Sequence, residues 1–390
     1  MNSRAKSAIR EKFWILKIVS ALLALVLTIR FAVPVSSVIA ENTVSLLTDF
    51  ENSENILMGQ VSFEETAEET TAAEYTEIET EPETEEPSTE EALSEAVTET
   101  ERIYETPDDI VSLENEYLAA FADTSPYGSV EEVFFKTSGA TDIVDGISVK
   151  NATATKKPDF AALIKEGPVL DIKDKSEPVV LIFHTHTTES YLLSDNGVFY
   201  EDYKTRSTDI SRNMVRVGDE ICRVLEENGI GYIHDKNIYD ESYDGAYSRS
   251  RVTVEKYLEE YPTIQIVLDV HRDAIYYSDT SHCKPTAEIG GRKAAQIMII
   301  TGAEEGYITD FPYWEDNLRF ALCFQKTAEE KYPGLMKPLY FCQRKYNMDT
   351  AKCSLLLEMG TDANTLDEAM YSGYLTGKVL TEIINRHCGE

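Results

Sequence analysis

Three short stretches concentrate side chains that can hold a metal and move a proton. Phe183-His-Thr-His-Thr-Thr-Glu-Ser-Tyr191 carries His184, His186 and Glu189, and Asp269-Val-His-Arg-Asp-Ala274 carries His271 between two carboxylates. Leu355-Leu-Leu-Glu358 ends an apolar run on a lone glutamate. A catalytic zinc takes three protein ligands, commonly imidazoles with a carboxylate, and keeps one position for water. His186 and Glu189 stand three residues apart and converge if the turn between them curls. His271 offers the third ligand from the end of another strand. His184 precedes His186 by two residues, so in extended backbone both point to one side. One of the two then ligates metal while the other binds substrate or orients the site, and the compact chelate with Glu189 favours His186.

Glu358 is the candidate general base, placed to take the proton of an activated water and pass it to a leaving amine. Asp269 or Asp273 is placed to fix the tautomer of His271 as an outer acceptor, and Arg272 adjoins the same histidine. Arg344 could meet a substrate carboxylate or oxyanion, although an ordinary surface arginine reads the same way. Asn364 follows Glu358 closely enough to share its surroundings. His234, His282 and His387 read as hydrogen-bonded structural residues. Without an HExxH helix the helical zinc-protease pattern is excluded. The six cysteines show no CxxC pair, so neither zinc binding nor any disulfide pairing is assigned to them.

These residues need strands to position them. Val179–Phe183 and Ile264–Val270 are continuous apolar runs of the kind found in strands covered on both faces. Further strands are expected at 231–233, 296–300, 339–341 and 354–357. Helices are expected over about 211–228, 252–261 and 317–331. A capping box, Thr365-Leu-Asp-Glu368, opens a last helix running to about Asn385. Alternating elements of these lengths predict a three-layer α/β domain with a mainly parallel sheet over residues 171–390. In such sheets ligands bind at the carboxyl ends of strands, where the His and Glu residues fall. Residues 117–170 form an N-terminal extension, with a helix near 110–122 and a strand near 143–149.

The formal charge of −34 is unevenly spread: residues 1–30 sum to +5, residues 31–116 to −24, and the remainder to −15. The acidity belongs mostly to one segment, and nucleic acid is disfavoured as a partner. Residues 41–116 are an acidic Thr/Glu-rich linker, as in Glu79-Thr-Glu-Pro-Glu-Thr-Glu-Glu86, too poor in apolar side chains to order itself. Residues 1–40 place basic side chains before an apolar stretch. From Phe13 to Ala40 it is long enough for a membrane anchor, and Val38-Ile39-Ala40 also fits a cleavage site. Either reading sends the rest of the chain across the membrane.

The four motifs His184–Tyr191, Asp269–Ala274, Tyr346-Asn347 with Asp349, and Leu357-Glu-Met-Gly360 with Asn364-Thr365 resemble stage II sporulation protein P. That family comprises cell-wall hydrolases of endospore-forming bacteria. The resemblance runs in order from about Pro178 to Asn385. It implies a fold similar to zinc-dependent N-acetylmuramoyl-L-alanine amidases, two histidines and a glutamate on Zn²⁺, and Glu358 as base. It implies amidase activity, with endopeptidase activity on cross-links, on peptidoglycan. It also implies work beside stage II sporulation proteins D and M during engulfment, from the membrane facing the septal space between mother cell and forespore. The ordinary amidase has His-Gly-Gly after its first strand and a later ligand Glu before the helix. Here His186-Thr-Thr-Glu189 stands instead and Ser211 falls near the later position, which leaves the third ligand open. Two other classes compete: an inactive peptidoglycan-binding scaffold, and a carboxypeptidase-like wall peptidase with the same order of ligands and base.

Overall fold

The computed structural model describes residues 104–389. The membrane segment expected over residues 13–40 and most of the acidic linker lie outside the described residues. Among the described residues no helix is long and apolar enough to cross a membrane.

The chain begins with α1 (Asp108–Ala120), β1 (Gly128–Val133), the hairpin β2 (Asp142–Val144) and β3 (Ile147–Asn151), and α2 (Phe160–Glu166). Next come β4 (Pro178–Phe183), β5 (Val198–Phe199), α3 (Met214–Glu227), β6 (Gly231–His234), α4 (Ala246–Glu260) and β7 (Ile266–Asp273). The short strands β8 (Tyr276–Ser278), β9 (Ser281–Ile289) and β10 (Arg292–Ala295) lead into β11 (Ile297–Gly302) and α5 (Trp314–Lys331). The chain ends with β12 (Leu339–Cys342), a 3-10 turn at Met348–Thr350, β13 (Cys353–Thr361) and α6 (Leu366–His387).

The main sheet has eight strands in the order β2-β3-β12-β11-β13-β7-β4-β6. Neighbours are parallel except at β2/β3 and β11/β13, so the sheet is mixed and mainly parallel. Its two faces are sorted by the period of two along each strand. In β4, Val180 and Ile182 join the large core with α3, α5 and α6, while Leu181 and Phe183 pack with Val254 of α4. Helices therefore cover both faces, and all residues of β7 and β13 are buried. The capping box is formed: Thr365 Oγ1 accepts from Glu368 N and the Glu368 carboxylate accepts from Thr365 N.

Three expectations change. β7 runs on through His271 to Asp273, and β13 through Glu358 to Thr361, so these residues pair across adjacent strands instead of trailing from their ends. The segment expected as one strand at 143–149 is a hairpin, because Asp145 (φ 51°) and Gly146 (φ 83°) take the positive φ pair of a tight primed turn. The end of the expected disordered linker is folded: Tyr104 lies 5.1 Å from the Tyr371 ring and 5.3 Å from that of Tyr374, and Ile110 and Tyr117 of α1 are buried. Those apolar side chains recover the ordering cost that the Thr/Glu tract cannot.

A second sheet of order β10-β9-β1-β5, with β8 on β9, has no counterpart in the sequence reading. In it β1 pairs in parallel with β9. Residues 128–151 thus supply strands to both sheets, and no structural boundary falls between residues 170 and 171. Lys284 of β9 is 1% exposed, and its Nζ donates to Glu368 Oε1 (2.7 Å) and Asp195 Oδ1 (2.5 Å), which ties this sheet to the start of α6.

Candidate metal centre

β4 ends at Phe183 and the chain curls immediately, closed by Glu189 N donating to His186 O at 3.0 Å. Asp240 fixes the curl by accepting from Thr188 N (3.0 Å) and Thr188 Oγ1 (2.6 Å). The curl carries His186 and Glu189 towards β7. Ligand atoms of His186, Glu189 and His271 lie within 4.8 Å of one another, and all three side chains are buried. The carboxylate bridges the imidazoles, with Oε1 3.3 Å from His186 Nδ1 and Oε2 3.5 Å from His271 Nδ1. Arg272 N also donates to Oε2 at 3.2 Å.

Burial penalises charge on Glu189, but the two histidines hold its pKa well below the usual range. Burial likewise opposes charge on His271, yet Asp269 and Glu189 together hold that imidazole well above its ordinary value. Asp269 Oδ1 lies 2.8 Å from His271 Nε2, and the carboxylate accepts from Thr185 N (2.8 Å) and Thr185 Oγ1 (2.7 Å). Of the two candidate outer acceptors, Asp269 holds this position. Asp273 instead pairs with Lys337 Nζ at 3.2 Å.

Glu358 stands beside His271, the two being register partners across β13 and β7. It is 8% exposed, and its Oε2 has no hydrogen-bond partner among the described residues. Burial, reinforced by the Asp273 charge, raises its pKa well above the usual carboxylate range. Pairing shifts register directly after it, at a bulge containing Gly360 (φ 73°). A Cβ there would stand 2.5 Å from Asn364 Oδ1 and 2.7 Å from Ala295 Cβ, so the bulge needs glycine.

The remaining candidates disperse. His184 does not share a side with His186, because the backbone is no longer extended beyond Phe183. Its Nδ1 donates to Val270 O (2.9 Å), leaving Nε2 to accept from His234 Nε2 (2.9 Å). Burial and the neighbouring His234 push His184 down to about 3, so it is neutral. Gly218 of α3 makes room for this pair, since a Cβ would lie 2.6 Å from His234 Nε2. The Arg272 guanidinium donates to Ser190 O (3.1 Å) and Thr205 O (2.8 Å), acting as a strut behind the site. Asn364 Nδ2 donates to Pro285 O (3.1 Å) and Glu368 Oε2 (2.9 Å), and its Oδ1 accepts from Thr361 N (2.9 Å), all within the fold around α6. Arg344 donates to Tyr307 Oη (2.9 Å) near the surface. Ser211 Oγ donates to Asp209 Oδ1 (2.7 Å) at the exposed start of α3, away from the imidazoles. His387 Nδ1 donates to Ile383 O (2.8 Å), and all six cysteines are free.

Sequence reasoning missed the aromatic wall. Tyr243 stacks on His186 with centroids 4.8 Å apart, and Tyr247 lies edge-on to His186 (5.5 Å) and nearly parallel to His271 (6.2 Å, 15°). Tyr346, at φ 47°, stacks on Tyr247 at 5.0 Å. Tyr243 lies in the bend before α4 and Tyr247 in its first turn, and their closeness in sequence was the available signal.

Together these features define an α/β protein with a buried His–Glu–His cluster flanked by an unpaired carboxyl group, a donor set suited to a catalytic divalent metal. The chain matches the model of the stage II sporulation protein P family over residues 37–384, and it belongs to that family. Stage II sporulation protein P of Bacillus subtilis (strain 168) is 31% identical over 231 residues, 56% of this chain and 54% of that protein. The chain thus spans about half the length of the curated relative it matches. Among solved structures, the N-acetylmuramoyl-L-alanine amidase AmiC2 of Nostoc punctiforme aligns at 9% identity and a TM-score of 0.31, over 54% of this chain and 98% of that one. A metallo-carboxypeptidase from Burkholderia cenocepacia aligns at 8% identity and a TM-score of 0.31, over 61% and 70%.

Proposed function

We propose that this chain is a zinc-dependent peptidoglycan hydrolase of sporulation, cutting the amide between the lactyl group of the glycan strand and L-alanine of the stem peptide. The observation that carries the reading is the buried convergence of His186, Glu189 and His271 beside Glu358, whose Oε2 lacks a partner. Membership of the stage II sporulation protein P family supports the sporulation setting. The motif resemblance described above supports peptidoglycan as substrate and action from the membrane at the septum, beside stage II sporulation proteins D and M.

His186, Glu189 and His271 would hold the metal. When bound, zinc would supply Lewis acidity, acidifying water and polarising the scissile carbonyl. Glu358 takes the proton of the attacking water and delivers it to the leaving amine. Its raised pKa suits the second half of that task, because the protonated carboxyl is then a persistent acid. Asp269 holds His271 by Nε2, so that Nδ1 faces Glu189. Thr185 in turn fixes Asp269 with two hydrogen bonds.

The test is zinc content together with the masses of products released from purified peptidoglycan, for the full-length protein and for His271→Ala. About one zinc per chain, with stem peptides freed by the wild type alone, supports the amidase. Free amino acids from peptide ends would redirect the reading to a carboxypeptidase-like enzyme. Peptidoglycan bound but intact, with no zinc taken up, would leave a scaffold.

A further inference from the structure

The buried polar atoms without a hydrogen-bond partner among the described residues include His271 Nε2, which faces Asp269 Oδ1 at 2.8 Å, and two atoms beside it, Glu358 Oε2 and the Tyr247 hydroxyl. The latter two lie on different sides of His271. Glu358 is its register neighbour in the sheet, and the Tyr247 ring lies nearly parallel to the imidazole at 6.2 Å. Neither satisfies the other, although leaving a buried hydroxyl unpaired is costly. Such an orphan calls for an explanation, and a ligand that supplies the acceptor is one.

The placement of Tyr247 is built, not incidental. Its ring is held by His186 at 5.5 Å, His271 at 6.2 Å and Tyr346 at 5.0 Å. Its backbone carbonyl accepts from Asn347 Nδ2 at 3.1 Å, and Asn347 Nδ2 also donates to Ser250 Oγ at 3.0 Å. Ser250 Oγ is in turn 2.8 Å from Thr185 Oγ1, the group that fixes Asp269. One network therefore sets both this tyrosine and the orientation of His271. The ring thus lies against both candidate imidazole ligands, edge-on to His186 and nearly parallel to His271. A phenol keeps its proton at neutral pH, so the hydroxyl has a hydrogen bond to donate.

We infer that Tyr247 is a further catalytic residue, its hydroxyl donating a hydrogen bond to the oxygen of the scissile carbonyl as that oxygen gains negative charge. This rests on the amide-hydrolase reading above. Attack by water leaves an electron pair on the carbonyl oxygen, and Glu358 takes the proton of the water. Tyr247 keeps its own proton and shares it through the hydrogen bond. A donor of this type, aimed where charge develops, contributes about 10²–10³-fold in kcat.

The experiment compares full-length wild type with Tyr247→Phe, which keeps the ring and removes one oxygen. Three quantities are measured: zinc content, kcat and KM on a soluble muropeptide, and affinity for a phosphinate analogue of the tetrahedral intermediate. The expected result is unchanged zinc and KM, kcat lower by about 10²-fold, and analogue affinity weakened by a similar factor. Wild-type kcat in Tyr247→Phe would overturn the assignment. So would equal weakening of muropeptide and analogue, which would mark a packing role. A zinc-loaded wild type that cleaves no amide would remove the hydrolase reading itself, a result the comparison separates from the other two.

Discussion

At the scale of the residue, the centre is a balance of buried charge. Glu358 is neutral below its raised pKa and only then loses the capacity to accept a proton, so kcat/KM should climb with pH through a value above the ordinary glutamate range. A pH–rate profile checks this, and an acidic limb at the usual carboxylate pKa would contradict it. Glu358→Gln should retain zinc and lose about 10²–10⁴-fold in turnover; full turnover with metal in place would end its role as base. His271, held above its ordinary pKa, must shed a proton to ligate a metal. Zinc uptake should therefore release about one proton near neutrality, and apparent affinity should fall as pH drops. Calorimetry in two buffers of different ionisation heat measures it, and an identical heat in both would speak against a protonated His271. Asp269→Asn should weaken zinc by about 10–100-fold, because the outer acceptor that orients His271 is lost; equilibrium dialysis against a chelator reads that ratio.

At the scale of the element, strand pairing aligns the chemistry, and the bulge after Glu358 preserves it. Gly360→Ala places a Cβ against Asn364 and Ala295 at positive φ, and should cost about 1–3 kcal/mol. It should also depress turnover by displacing Glu358. A thermal melt and a rate together test this, and an unchanged melting point would show that the bulge relaxes. Lys284→Ala removes the cation from a buried cluster and leaves Glu368 uncompensated, a loss of about 3–5 kcal/mol. Much of this element structure was legible, because buried parallel strands read as unbroken apolar runs and helices as periodic ones. The convergence of His186, Glu189 and His271 was legible too, since spacing after a strand end constrains it. What escaped had weaker local signals. β1, Gly-Ser-Val-Glu-Glu-Val, is half polar and finds its pairing only across the chain with β9. Asp145-Gly146 carried a hairpin signal that a search for single strands overlooks. The division of labour between His184 and His186 could not be read from a period of two, because that period ends with the strand at Phe183.

At the scale of the whole molecule, the segment 104–170 is not an appendage. A fragment beginning at residue 171 lacks β1, β2 and β3, leaving β9 and β12 with unpaired edges. It should aggregate or unfold without a sharp transition, whereas residues 104–390 should melt cooperatively. Comparable melting of both fragments would show that the added strands are dispensable. The pairing of Ser129 with Ser281 and of Val149 with Leu339 has a further consequence, for the order of assembly. Synthesis delivers the chain N-terminus first, so β1 emerges long before β9 and the β2/β3 hairpin long before β12, and non-local pairings of this kind form slowly. During that interval the edges that β9 and β12 will cover stay open to solvent, and Glu131 and Glu132 give β1 the charge that discourages association with other nascent chains. A chain interrupted before residue 281 can complete neither sheet, so the His–Glu–His cluster and Glu358 come together only when nearly all of the polypeptide has been delivered.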